Sequence, residues 1–124
     1  MSLLCLAGAG MTVKIAAAAF TLTWTHTVER IPWEEDWRIA GDRLVLTEAR
    51  VKGSGAGMEP PDGARLVDGF YRWTPEDPFR EEIVLRRAPT AIAGDWHLCV
   101  EGRCRALGEV LPAEADPVVV RVCG

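Results

Sequence analysis

Short runs of β-branched, aromatic and aliphatic residues, cut by glycine, proline or aspartate every few positions, fill this sequence from end to end. That punctuation is its strongest constraint. A helix needs an apolar period near 3.6 carried through ten or more residues, and no segment shows one with proper caps. Strands are expected near residues 2–7, 11–16, 20–28, 33–39, 43–51, 70–74, 82–87, 95–100, 103–107 and 117–122, with one turn of helix in "PAEAD", 112–116. The expected fold is all-β: an antiparallel β-sandwich or partly open β-barrel of about 8–10 short strands. One connection is long. "KGSGAGMEPPDGARLVDG", residues 52–69, has eighteen residues with five glycines and two prolines, against a usual connection of about 4–6 residues. Such loops tend to carry function, so Ser54, Gly55, Gly57 and Met58 form a candidate binding loop, with Met58 and Leu66 expected to lay it onto the body. Its glycines lack the Gly-Lys-Ser/Thr ending of a phosphate loop, and Lys52 stands where a nucleophile elbow needs glycine.

The 124 residues suit one β-rich domain, 1–124. A chain that is 48% hydrophobic and 26% charged is not a disordered one. Its formal charge of −4, with basic residues scattered along the chain, argues against nucleic acid as a partner. No run approaches the ~20 apolar residues of a membrane helix. The opening "MSLLCLAGAGMTVKIAAAAF" reads as strand, turn and strand around Gly8-Ala9-Gly10. As a signal peptide it would want an early positive charge, and Lys14 interrupts its apolar run.

The densest stretch is "TWTHTVERIPWEEDW", 23–37, with three tryptophans, a histidine and a cluster of acids. If "ERIP" is a four-residue hairpin loop, Val28 faces Trp33, His26 faces Glu35, Trp24 faces Trp37 and Leu22 faces Ile39. Alternation then puts all eight side chains on the core face. Thr21, Thr23, Thr25, Thr27, Glu34, Asp36 and Arg38 lie on a solvated face. His26 and Glu35 read first as a structural hydrogen-bonded pair, since a buried carboxylate needs a partner. The alternative is a small-ligand or metal-dependent enzyme centred on His26 and Glu35, with His97 joining and Glu29 or Glu34 assisting. No spacing typical of zinc ligands occurs, so no metal ligand, cofactor or catalytic residue is assigned.

In "LCVEGRC", a two-residue Glu101-Gly102 turn would make Val100 and Arg103 a hydrogen-bonded pair. Cys99 and Cys104 become the next, closer pair, where a cross-strand disulfide is possible. Two reduced thiols are the alternative. Cys5 and Cys123 can pair only if their strands are neighbours.

Four stretches, "FTLTWTHTVERIPWEEDWRI", "RLVLTEARVKGSGAGMEPPDGA", "DGFYRW" and "LCVEGRCRAL", lie in order over residues 20–107. In them the chain resembles the bacterial domain-of-unknown-function family 1850, with Thr27 where many relatives have Ser. The resemblance implies a small extracytoplasmic or membrane-adjacent domain associated with TAXI-type TRAP transporters. The family has no established activity, so the resemblance assigns no catalytic residues. Together these readings favour a non-enzymatic accessory or ligand- or protein-binding module linked to solute uptake, its partner a transporter component or a small ligand. A periplasmic location is favoured by the Cys99–Cys104 pair and by the resemblance. The cytoplasm is the alternative, since no clear signal peptide is present.

Overall fold

The computed structural model describes residues 2–25, 32–52, 63–87 and 96–123, which form an antiparallel β-sandwich not closed into a barrel. Its strands are β1 (Leu3–Gly8), β2 (Met11–Ala16), β3 (Ala19–Thr25), β4 (Pro32–Ala40), β5 (Arg43–Lys52), β6 (Arg65–Val67), β7 (Phe70–Trp73), β8 (Phe79–Arg80), β9 (Glu82–Leu85), β10 (His97–Val100), β11 (Arg103–Ala106) and β12 (Val118–Val122). One sheet has the order β2-β1-β12-β9. The other runs β11-β10-β3-β4-β5-β7-β6, with β8 pairing the first part of β5. Period-two alternation drives the two sheets together. Leu4, Leu6, Leu85, Val118 and Val120 of the smaller sheet meet Phe20, Leu22, Trp37, Leu44, Leu46 and Leu98 of the larger.

Two-residue turns set three of the hairpins. Ala9-Gly10, Asp68-Gly69 and Glu101-Gly102 each hold positive φ at both positions, the backbone of a type I′ turn. Each therefore puts one non-glycine residue in the left-handed region. The β10–β11 register is the expected one, with Val100 opposite Arg103 and Cys99 opposite Cys104. Cys99 and Cys104 form a disulfide with Cα atoms 3.9 Å apart. β1 and β12 prove to be neighbours, and Cys5 and Cys123 form a second bridge across them.

The β3–β4 register differs from the expected one. Pro32 opens β4, a position where proline costs no ladder bond. Trp24 therefore faces Trp33, Leu22 faces Glu35, and Phe20 faces Trp37. The partner of each β3 residue thus shifts four positions along β4. An even slip leaves every side chain on its face, so among the described residues the assignment of faces stands while the partners change.

β5 carries a bulge, since Asp36 pairs with Glu48 but Trp37 with Leu46. Thr47 is the extra residue. It switches the buried parity of the strand from Leu44 and Leu46 to Ala49 and Val51. Two short strands, β6 and β8, lie where no strand was expected, β6 within the long connection 52–69. β8 pairs the part of β5 that β7 leaves open, and two residues are too few to show a period. Leu66, expected against the body, is 60% exposed on β6. The helical turn is at Leu107–Glu109 rather than at 112–116, where Ala115 N–H donates to Pro112 O.

The segment after β11 is held by Arg87, only 8% exposed. Its guanidinium donates to the carbonyls of Pro112, Ala115 (3.1 Å) and Leu111 (3.2 Å). The backbone N–H of Arg87 donates to Asp116 Oδ1 at 3.1 Å.

Candidate functional site

Glu35 is a carboxylate on the inner face of the larger sheet, where its neighbours on β3 and β4 are apolar or aromatic. What makes this tolerable is a pair of indoles. Trp33 Nε1–H donates to Glu35 Oε2, and Trp37 Nε1–H to Oε1, each at 3.2 Å. Residues i−2 and i+2 on a strand share the face of residue i, so the spacing Trp-x-Glu-x-Trp delivers both donors. Each oxygen keeps acceptor capacity, since a carboxylate offers about four lone-pair sites.

The indoles are themselves braced. Trp37 is buried and stacks on Phe20, with centroids 6.4 Å apart. Trp33 meets Trp73 edge-on at 5.6 Å, and Trp24 stacks on Trp96 at 5.9 Å. Glu35 and Trp37 open onto a cavity of about 270 Å³ between the sheets at the β9 edge, lined further by Leu46, Arg80, Glu82, Ile83 and Val84. Arg80 Nη1 is turned to the carbonyls of Asp77 and Phe79, both at 2.7 Å.

The opposite face carries a charge ladder rather than freely solvated acids. Arg50 Nε donates to Glu34 Oε1 at 2.7 Å, and its two terminal nitrogens grip Asp36 at 2.6 and 3.1 Å. Thr21 Oγ1 donates to Asp36 Oδ1 at 2.8 Å, and Arg72 Nη1 to Glu48 Oε1 at 2.7 Å. Partial burial works against the Asp36 carboxylate, but the hydrogen bonds from Arg50 and Thr21 and the nearby guanidinium charges outweigh it. Its pKa ends below the ordinary 3.8. The Asp36 hydrogen bond in turn raises the pKa of Arg50, against desolvation.

This division of faces separates residues that the sequence had grouped. Glu34 belongs to the ladder, and exposed His97, opposite Thr23, projects on the same outer side. Neither is on the face of Glu35, so the expected gathering of Glu34 and His97 about that carboxylate does not form. Leu22 is the residue directly opposite Glu35. His26 and Glu29 lie outside the described residues, as do Ser54, Gly55, Gly57 and Met58 of the candidate loop. Among the described residues no group of three or more His, Cys, Asp or Glu is placed to hold a metal ion. Arg50 and Arg72 were not singled out from sequence. The signal was the alternation Glu48-x-Arg50, which sets an arginine against Glu34 and Asp36 once β5 is paired with β4.

A family model for a domain of unknown function, DUF1850, matches residues 20–107. The chain belongs to this family. The DUF1850 match takes in nearly all of the larger sheet together with β9, and so both sides of the Glu35 cavity. β1, β2 and β12 fall outside it. No curated protein and no solved structure matches the chain.

Proposed function

We propose that this DUF1850 chain is a non-enzymatic accessory module that binds a ligand or a protein partner through a cationic group. The observation that carries the reading is Glu35, a carboxylate on the inner face whose two oxygens are oriented by indole N–H groups at the mouth of a cavity. A fixed acceptor with spare lone pairs, set among Trp37, Leu46 and Ile83, suits an ammonium or guanidinium on an apolar stem. Among the described residues no serine, threonine, cysteine, histidine or lysine lines this cavity, which favours binding over turnover. The two disulfides favour an oxidising, extracytoplasmic setting. Association with TAXI-type TRAP solute uptake belongs to the same proposal and rests on the family resemblance.

The test is a tryptophan-fluorescence titration with n-butylammonium and butylguanidinium, with butanol as the uncharged control. Saturable quenching by the cations, weakened at least tenfold in Glu35→Gln, is the expected result. Quenching that does not saturate, or that Glu35→Gln leaves unchanged, overturns the role given to Glu35.

A further inference from the structure

The sandwich is open on the side away from Glu35, between the outer edges of β2 and β11. A groove of about 520 Å³ runs there. Its floor is apolar: Ile15 from β2, with Leu98 and Val100 from β10. Directly paired residues of neighbouring strands share a face. Arg105 pairs with Leu98 and Arg103 with Val100, while Leu98 pairs with buried Leu22. Arg103 and Arg105 therefore occupy inner-face positions, where apolar side chains would close the sandwich. Both are exposed, and no carboxylate lies within ion-pair distance of either among the described residues. The groove lining holds one acid, Glu101, against the two arginines.

We propose that this groove binds a small organic anion with an apolar body, its carboxylate head held by Arg103 and Arg105 and its chain lying along Ile15, Leu98 and Val100. Residues two apart on a strand stand about 7 Å apart, close enough for two planar guanidinium groups to converge on one carboxylate. A groove of this size falls within the usual range for small-ligand sites, roughly 300–1,000 Å³. The Cys99–Cys104 bridge ties β11 to β10 and so fixes the strand that carries both arginines. This site is separate from Glu35 and takes a ligand of opposite charge. Inward-pointing charge on an edge strand can also serve only to prevent sheet-to-sheet association, and the experiment separates the two roles.

The full chain is titrated by calorimetry with sodium octanoate below its micellar concentration, alongside octylammonium, octanol and an acidic hexapeptide. Octanoate is expected to saturate one site, to bind at least tenfold more tightly than octanol or octylammonium, and to lose at least tenfold in affinity in Arg103→Gln/Arg105→Gln. Glu35→Gln should leave octanoate binding unchanged, so failure of one site is distinguishable from failure of the other. Because both arginines are exposed, the double variant should fold, and its circular dichroism checks this. Absence of saturable octanoate binding, equal binding of octylammonium, or indifference to the arginine substitutions overturns the proposal. Tight binding of the acidic peptide without octanoate binding also overturns it, as does a double variant that self-associates yet binds octanoate as before.

Discussion

Replacing Arg50 by Met keeps most of the aliphatic stem and removes the cation from the centre of the outer ladder. Three charge-assisted hydrogen bonds are lost, two to Asp36 and one to Glu34. In a buried setting each would contribute about 1.5–3 kcal/mol, and on an open surface well under 1 kcal/mol. The Arg50 side chain is 15% exposed, and those of Glu34 and Asp36 are 31% and 37% exposed, so solvent screens the acids appreciably. Taking about 0.7 kcal/mol per bond, the variant should lose about 2 kcal/mol at pH 7. The loss should depend on pH with a defined sign. The Asp36 pKa is depressed in the folded state, so its stabilisation is fully present above 3.8, the ordinary value, and fades as pH falls through the lower folded value. Urea unfolding of wild type and variant at pH 7 and pH 3, in low salt, measures both quantities, since urea adds no ions. The difference between the proteins should shrink at pH 3 and also in 1 M salt. A loss below about 0.5 kcal/mol at pH 7 would refute the account, as would one that persists unchanged at pH 3.

Arg87→Met should cost about 2–4 kcal/mol by chemical denaturation, because the carbonyls of Leu111, Pro112 and Ala115 lose their donor; a cost under 1 kcal/mol would mean that the segment holds itself. Glu101 sits at φ 51° without the freedom of glycine, so Glu101→Asn should stabilise by about 0.5–1 kcal/mol in a thermal melt, and a lower melting temperature would contradict the turn assignment. The two bridges close loops of very different length, with sequence separations of 118 and 5. Cys5→Ser/Cys123→Ser should therefore cost about 4–5 kcal/mol and Cys99→Ser/Cys104→Ser about 2 kcal/mol in denaturant titrations. The reverse ranking would show that chain entropy does not govern them.

Features closed over a few residues were legible in the sequence. Glu101-Gly102 leaves one register for β10 and β11, and with it the placing of Cys99 against Cys104. The face assignment of the described residues within 20–39 survived because it depends on parity alone. The partners across β3 and β4 did not, because Pro32 reads equally as the end of a loop or the start of a strand, and a register shift of four positions decides who meets Glu35. Its indole donors were two positions away on the same strand, a local pattern masked by the expectation of a histidine partner. Trp73, Trp96, Arg50 and Arg72 reach their partners through strand order, which no period in the chain encodes. The parity change within "LVLTEARV" was readable as a bulge, since Leu44 and Leu46 fall out of step with Ala49 and Val51.

The bridge between β1 and β12 makes one covalent ring of everything from Cys5 to Cys123. Tension applied from outside that ring passes from one strand to its neighbour through a sulfur–sulfur bond and bypasses both sheets. Whatever the chain is tethered to, the Glu35 cavity and the β2–β11 groove would carry no mechanical load while the bridge is intact. On reduction the same pull would fall on the β1–β12 ladder first, parting the two strands that lie at the centre of the smaller sheet.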